Sequence, residues 1–411
     1  MVWSRRSFLL FLGASAALAP QALPKAVAAQ QGARFSDFTP LPYPLPLPTD
    51  QLTPAQQQRR LAQFTVADDL VLPEGFGYEI LAQWGDPLGE SWFGYNNDYL
   101  ALVETGDQAW LTVNFEYISS IPWRQGYEAA LGKSLPFDEV QAALAPQKGA
   151  VNAFALAETD PLKAQIRLIA EAGLLDLGVG VLPLQKTAQG SWQKRAAPQA
   201  RRITGLSGYA GGGYLTATGP GAAVFNQKQK QGYDDGLGNR IIGTFANCAG
   251  GTTPWGTVLS AEENFQDQTP EAVYSDGSAA NPEALPFKLT EKRLEGLGNV
   301  FGLAGNKYGW MVEIDPSNPQ DYGKKHTWLG RFRHEAVSVR AEAGQPLAVY
   351  SGCDRRSGHF YKFVSAETVQ DPQDKGNSRL FETGRLYGAR FNPDGTGEWI
   401  ALAPDTPVRP I

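Results

Sequence analysis

The sequence has few of the residues that build the commonest hydrolytic centres. Its 411 residues include only 3 His, 2 Cys and 2 Met, and the three His (His326, His334 and His359) all fall after position 325. A hydrolase built on a cluster of His ligands is thereby excluded. Two Cys exclude both a disulfide-rich scaffold and a zinc ribbon. No EF-hand loop, P-loop, GxSxG elbow or HExxH motif is present. Positive charge is also scarce. The net charge is −6, and the first 28 residues hold Arg5, Arg6 and Lys25 with no acid, so their removal takes the balance to −9. A chain of that sign has no basic footprint for nucleic acid. The longest early apolar run, Leu9 to Ala19, is shorter than the ~20 residues that span a bilayer.

What is present begins with an address. Ser4-Arg5-Arg6-Ser7-Phe8-Leu9 precedes that apolar run, and Ala26-Val27-Ala28 supplies small residues for cleavage. The paired Arg with Ser, Phe and Leu reads as a twin-arginine signal over residues 1–28. This predicts export by the twin-arginine machinery to the periplasm or beyond, with a cofactor loaded before export. Pro40, Pro42, Pro44, Pro46, Pro48 and Pro54 follow, within a Pro-rich N-terminal segment over 29–63. Alternate prolines favour an extended strip with no donors for a sheet ladder.

The body, residues 64–411, reads as one all-β domain. Short apolar or alternating runs recur between turn residues, as at Gly77-Tyr78-Glu79-Ile80-Leu81, Ala109-Trp110-Leu111-Thr112-Val113, and Gly309-Trp310-Met311-Val312-Glu313-Ile314. Later examples are Leu347-Ala348-Val349-Tyr350-Ser351, His359-Phe360-Tyr361-Lys362-Phe363 and Gly397-Glu398-Trp399-Ile400-Ala401-Leu402. Many strands without regularly interleaved helices predict a propeller or a sandwich. Two helical excursions interrupt them. One includes Asp138 to Leu144. The other starts at Asp160-Pro161 as N-cap and first turn, with Leu162, Ile166, Ile169 and Ala170 at helical spacing up to Gly173.

The most informative stretch is GTFANCAGGTTPWGTVLSAEENF, from Gly243 to Phe265. It puts Cys248 in a Gly-rich turn and ends a strand on Glu262-Glu263. Adjacent carboxylates repel unless a cation lies beside them, and on a strand they point to opposite faces. A thiolate with carboxylates suits a transition metal, while carboxylates alone also serve harder cations. Further acids stand at strand ends: Asp98 after Asn96-Asn97, Glu116 after Asn114-Phe115, Glu313, Glu335 and Asp354. Singly these are turn residues or surface ion pairs. Together they are what a propeller needs to ring its channel with carboxylates, an oxygen-rich setting that favours calcium.

In order along the chain, Gly94-Tyr95-Asn96-Asn97-Asp98, the CAGGTTPWGT block with its Glu-Glu, Gly309-Trp310 to Pro316, Leu329-Gly330-Arg331-Phe332 with His334-Glu335, Tyr361-Lys362-Phe363-Val364 and Leu386-Tyr387-Gly388-Ala389-Arg390-Phe391 resemble the PhoX-type alkaline phosphatases. The resemblance covers roughly residues 64–402. It implies a six-bladed propeller with helical excursions and an exported phosphomonoesterase that carries iron, one iron being Cys-ligated, together with calcium. Carried over by motif, Cys248 is the thiolate ligand and Glu262 or Glu263 a carboxylate ligand, with Glu263 preferred. Glu313, Glu335 and Asp354 are further ligands, Glu116 a weaker one, and Arg331 or Arg333 contacts the substrate phosphate. Three positions depart from the family: Phe115 where it usually has His, Cys353 where it often has Asp, and Ala261 where it often has Cys. Cys353 opens the alternative of a disulfide with Cys248. The chain ends at Pro410-Ile411, where the family usually continues, so either a C-terminal truncation or a shorter subgroup that closes differently is expected. Two other readings stand beside the phosphatase. One is a calcium-only propeller hydrolase, phytase-like or lactonase-like; the other is a non-catalytic calcium-stabilised propeller that binds a partner.

Overall fold

A computed structural model describes residues 51–65 and 69–403. The signal segment, residues 29–50 of the Pro-rich segment and the residues after 403 lie outside the described residues. The chain divides into two units, Met1–Leu81 and Ala82–Ile411.

In the first unit, helix α1 spans Pro54–Gln63. Thr53 caps it. Its hydroxyl accepts from the Gln56 amide, and the Gln56 side chain accepts from the Thr53 amide at 2.8 Å. Pro54 fills the first turn, where no amide donor is needed. The expected strand at Gly77 to Leu81 does not form. Alternation makes a strand only where one face is covered, and here Tyr78 and Ile80 are 55% and 72% exposed.

The second unit is mostly β-sheet. The first large sheet holds β1 (Asn97–Thr105), β2 (Gln108–Phe115), β3 (Gly178–Lys186), β4 (Trp192–Lys194) and β5 (Arg201–Thr204). They run in the order β1-β2-β3-β4, with β5 also paired to β3. The second holds β6 (Leu215–Thr218), β7 (Arg240–Ile241), β8 (Asn247–Thr252), β9 (Val258–Glu262), β10 (Met311–Ile314) and β11 (Lys324–His326). Its order is β7-β6-β11-β10-β9-β8, and only the β6–β11 pair is parallel. The third is an antiparallel meander of β12 (His334–Arg340), β13 (Pro346–Cys353), β14 (Phe360–Thr368), β15 (Gly384–Phe391) and β16 (Gly397–Ala401). A two-stranded and a three-stranded sheet complete the set among the described residues, where none of the five closes on itself.

Three longer α-helices are insertions that pack on the sheets: α2 (Ser120–Leu131), α3 (Phe137–Leu144) and α4 (Pro161–Asp176). The Asp160 carboxylate caps α4 by accepting from the Leu162 amide at 2.8 Å. The helix continues three residues past Gly173, which is a contact point rather than a stop. A Cβ there would lie 2.7 Å from a Leu297 methyl. At its end, buried Asp176 accepts from three indoles, Trp84 (3.1 Å), Trp92 (2.6 Å) and Trp123 (2.6 Å). The buried Arg202 guanidinium donates to the carbonyls of Trp92, Leu175, Leu177 and Val179. These contacts fasten α2 and α4 to the first sheet.

One core lies between the helices and the first two sheets, with Trp123, Ile166, Val179, Ile203, Phe245 and Val312. A second joins the second sheet to the third through Leu259, Met311, Val337, Val349 and Phe363. Packing of this kind brings three sheet edges together. β1, β8 and β12 are each the end strand of their sheet, and β8 lies against both of the others. Gly250 and Gly251 make this approach possible. A Cβ on Gly250 would sit 2.5 Å from the Leu259 carbonyl oxygen and 2.6 Å from the Tyr99 ring; one on Gly251 would sit 2.3 Å from the Val337 carbonyl oxygen.

Gly251→Ala should therefore lower stability by about 1–3 kcal/mol, the usual cost of overpacking a close contact. Thermal melting followed by circular dichroism reads this directly. An unchanged melting temperature would mean that the β8–β12 seam is looser than described.

Candidate metal centre

Each of the three converging edge strands carries the same irregularity. In β1, Asn97 pairs with Phe115 and Leu100 with Val113, so Asp98 and Tyr99 oppose one residue. In β8, Asn247 pairs with Glu262 and Gly250 with Ser260, so Cys248 and Ala249 oppose one residue. In β12, His334 pairs with Cys353 and Val337 with Ser351, so Glu335 and Ala336 oppose one residue. A two-for-one bulge bends its strand and re-aims side chains. The first extra residue is an acid or a thiol every time, and all three meet.

Cys248 is the hub. Its Sγ lies 3.4 Å from Asp98 Oδ2 and 3.7 Å from each Glu335 carboxylate oxygen. Two overlapping donor groups form around it: Asp98, Glu116 and Cys248, and Cys248, Glu263 and Glu335. Within each, one donor atom per residue lies within 4.8 Å of the others. Buried Asn114 fixes the thiol's backbone, donating to the carbonyls of Cys248 (2.5 Å) and Ala249 (3.2 Å) while accepting from Ser260 (2.9 Å). Just before the thiol, Ala246 has φ of 58°. An L-residue in this left-handed region costs roughly 1–2 kcal/mol, and the Ala246 carbonyl is held by the Glu263 amide at 2.8 Å. Asn96, with φ of 60°, plays the matching part beside Asp98, its carbonyl accepting from the Glu116 amide at 3.1 Å.

Crowding like charges has the expected effect. Burial, with the neighbouring Asp98 charge, pushes the Glu116 carboxyl up to about 7. Burial, with Glu335, Glu116 and Asp354, pushes Glu263 up to about 7 as well. Glu335 is raised by burial and by Asp354. Burial and four surrounding carboxylates push the Cys248 thiol far up. Among the described residues, no Lys, Arg or His forms an ion pair with Asp98, Glu116, Glu263 or Glu335. Like-charged donors this close need a cation to ionise together. The donor chemistry fits a metal: both groups combine the Cys248 sulfur with carboxylate oxygens.

The other expected residues fall in distinct places. Asp354 borders the group; its charge raises both Glu263 and Glu335, and its amide donates to the Arg333 carbonyl at 3.1 Å. Glu262 points the opposite way, as strand alternation requires. It is fully buried against Lys325 Nζ at 2.6 Å, and accepts from Thr244 and from the Gly309 and Trp310 amides. Glu313 is likewise engaged elsewhere, with His326 Nε2 at 2.8 Å and donors from Thr257, Ser378 and Trp255. Burial works against ionisation, but these donors hold the Glu313 carboxyl down to about 2. Arg331 is buried with its donors on the carbonyls of Tyr308, Glu271 and Gly305. Arg333 instead makes one ion pair, to Glu271 at 3.0 Å. Both cysteines are unbridged. Burial pushes the His334 imidazole down to about 4, and it is neutral at pH 7. Its Nε2 faces the Gly330 carbonyl at 2.9 Å and its Nδ1 faces the Ser351 hydroxyl, so Nε2 carries the proton. Asp98 is the donor that the ligand reading passed over. Its signal was the Asn96-Asn97-Asp98 turn ahead of a strand.

The comparisons agree with this geometry. No curated protein matches the chain. The family described as Alkaline phosphatase PhoX matches residues 56–409. Among solved structures, Pseudomonas fluorescens PhoX in complex with vanadate, a transition state analogue, is similar at 28% identity with a TM-score of 0.56. That likeness covers 81% of this chain and 56% of the other, so the chain spans little more than half of that relative's length. A family match over most of the chain, with the thiol and carboxylates gathered at three bulged edges, places the protein in the PhoX alkaline phosphatase family.

Proposed function

We propose that the chain is an exported, metal-dependent phosphomonoesterase acting on small organic phosphate esters. The observation that carries this reading is the convergence of Cys248, Asp98, Glu116, Glu263 and Glu335 with no countering base among the described residues. Family membership and a vanadate-bound relative support it. Iron suits the Cys248 sulfur with its carboxylates, and calcium suits carboxylate oxygens of the same cluster. When bound, such metals polarise phosphoryl oxygens, activate an oxygen nucleophile and stabilise the leaving oxygen.

The chain's own residues would do the rest. Cys248, Asp98, Glu116, Glu263 and Glu335 hold the cations, and Asp354 completes the oxygen set at the rim. Arg333 is the guanidinium we assign to the substrate phosphate, since Arg331 is occupied by three carbonyls. Around the site we propose a six-bladed arrangement in which β1, β8 and β12 are innermost strands. Residues 64–411 form the propeller domain, after a twin-arginine signal over 1–28 and a Pro-rich segment over 29–63. The destination would be periplasmic or extracellular. No helix among the described residues is long and apolar enough to cross a membrane.

Elemental analysis of protein purified without chelators should find iron with calcium. Calcium without iron, in protein that still turns over, would favour the calcium-only hydrolase. Cys248→Ser should lose the iron and more than about 100-fold of turnover, with the circular dichroism spectrum retained. Wild-type-like turnover would remove the thiolate from the mechanism.

A pH experiment tests the charge argument separately. Glu116 and Glu263 rise from an ordinary 4.5 to about 7 in the folded protein. A carboxyl raised on folding stabilises below its unfolded value and loses that contribution as pH climbs through its folded one. The metal-free protein should therefore melt at lower temperature as pH rises from 4.5 past 7. Added metal should reverse the trend and release protons on binding. A metal-free melting temperature that climbs over this range would contradict the crowded-carboxylate picture.

A further inference from the structure

We propose that Glu271 is a positioning residue that holds two arginines, Arg333 and Arg355, as a two-armed receptor for a phosphate monoester at the rim of the acidic cluster. The inference rests on the phosphatase reading and adds to Arg333 a second arm and the carboxylate that orients both. Glu271 Oε2 meets Arg333 Nη2 at 3.0 Å, and its other oxygen faces Arg355 Nη1 at 3.8 Å. The two arginines leave one seam. Arg333 stands two residues before Glu335, Arg355 directly follows Asp354, and the Asp354 amide donates to the Arg333 carbonyl at 3.1 Å. The turn that presents Arg355 is closed by the Gly358 amide on the Arg355 carbonyl at 2.6 Å.

Stability alone does not explain this arrangement. Partly exposed ion pairs contribute little, and Arg355 is 63% exposed. What is unusual is how the carboxylate is delivered. Its own backbone is pinned, since Arg331, buried over the Phe265 ring, donates to the Glu271 carbonyl at 2.8 Å. Asp267 also feels the Arg333 charge, so what the pair of guanidiniums offers is directed N–H groups rather than a net positive charge. Arg333 also keeps its Nε buried with no acceptor, and a buried donor left this way calls for a partner. A guanidinium held by one edge can offer its remaining N–H groups to phosphate oxygens in fork geometry. Arg333 is then the inner, fixed arm and Arg355 the outer, mobile one. A phosphate dianion can thereby be held in a protein of net negative charge.

The test uses the full-length, metal-containing protein and inorganic phosphate as the probe. Glu271→Gln keeps the size and removes the charge that orients the arginines. Phosphate binding by calorimetry should weaken ~10-fold and KM for a phosphate ester should rise similarly, with kcat changed less than about threefold, because substrate capture is affected more than the reacting centre. Glu271→Asp should recover part of the affinity, and melting temperature should not follow the series. Arg355→Ala should weaken phosphate binding, and its effect should shrink in the Glu271→Gln background, the non-additivity expected of a shared element. Phosphate affinity in Glu271→Gln within about twofold of wild type, or tighter, overturns the proposal, as does wild-type protein that binds no phosphate. Wild-type protein that binds phosphate but turns over no ester would sink the phosphatase reading, while the Glu271 series would still decide this one.

Discussion

Repulsion among acidic donors is the constraint on which the site depends. Asp98, Glu116, Glu263 and Glu335 gather around Cys248 in two overlapping groups, and among the described residues no base is ion-paired with them. Left to themselves they would protonate or separate, and Glu116 and Glu263 respond by titrating near 7. The surrounding fold must hold them in spite of this. It does so with rigid backbone: three bulged strands, each anchored in its own sheet, and Asn114 fixing the segment that carries the thiol. Fixed donors of like charge are a cation's binding energy stored in the geometry.

A second set of buried acids is supplied with donors internally and serves the opposite purpose. Glu262 with Lys325, Glu313 with His326, and Asp176 with its three indoles are saturated with donors. Breaking such a contact would leave a buried charge unpaired, which costs far more than the contact itself contributes. These groups fix how β9, β10 and β11 lie together, and how the helices lie on the first sheet. The contrast is most direct at Glu262-Glu263. Neighbours in sequence, they project from opposite sides of one strand end, one into a saturated core and the other into the unsatisfied cluster.

Glycine supplies the remaining condition. Three sheet edges cannot meet closely if side chains stand between them. Gly250 and Gly251 let the backbone of β8 come against Tyr99 on one side and Val337 on the other. The CAGGTT segment therefore does two jobs in six residues: it provides the thiol at the bulge and removes the Cβ atoms that would hold the neighbouring edges away. Sheet edges exposed in this way usually invite pairing with another chain. Here the bulges, the turned-in charges and the close mutual contact remove that option at the site.

Much of this was legible in the sequence, because it depends on local rules. Short apolar runs located β2, β10, β13, β14 and β16, Asp160-Pro161 marked the start of α4, and the Thr53-to-Gln56 spacing that caps α1 was there to read although the prolines around it suggested only an extended strip. The resemblance carried by CAGGTTPWGT and its Glu-Glu pointed to the family, and strand alternation already said that Glu262 and Glu263 face apart. Other matters were settled only in three dimensions. Gly77 to Leu81 alternates like a strand yet has no covered face. Asp98 joins the donor group only because β1 bulges beside β8. Arg331 and Arg333 look equivalent in sequence, but one is enclosed by carbonyls and the other faces a carboxylate. Residue types and short spacings are fixed by the chain itself. Which groups become partners depends on edges of separate sheets meeting, and that is decided by packing between residues far apart in the chain, 150 positions for Asp98 and Cys248 and 87 for Cys248 and Glu335.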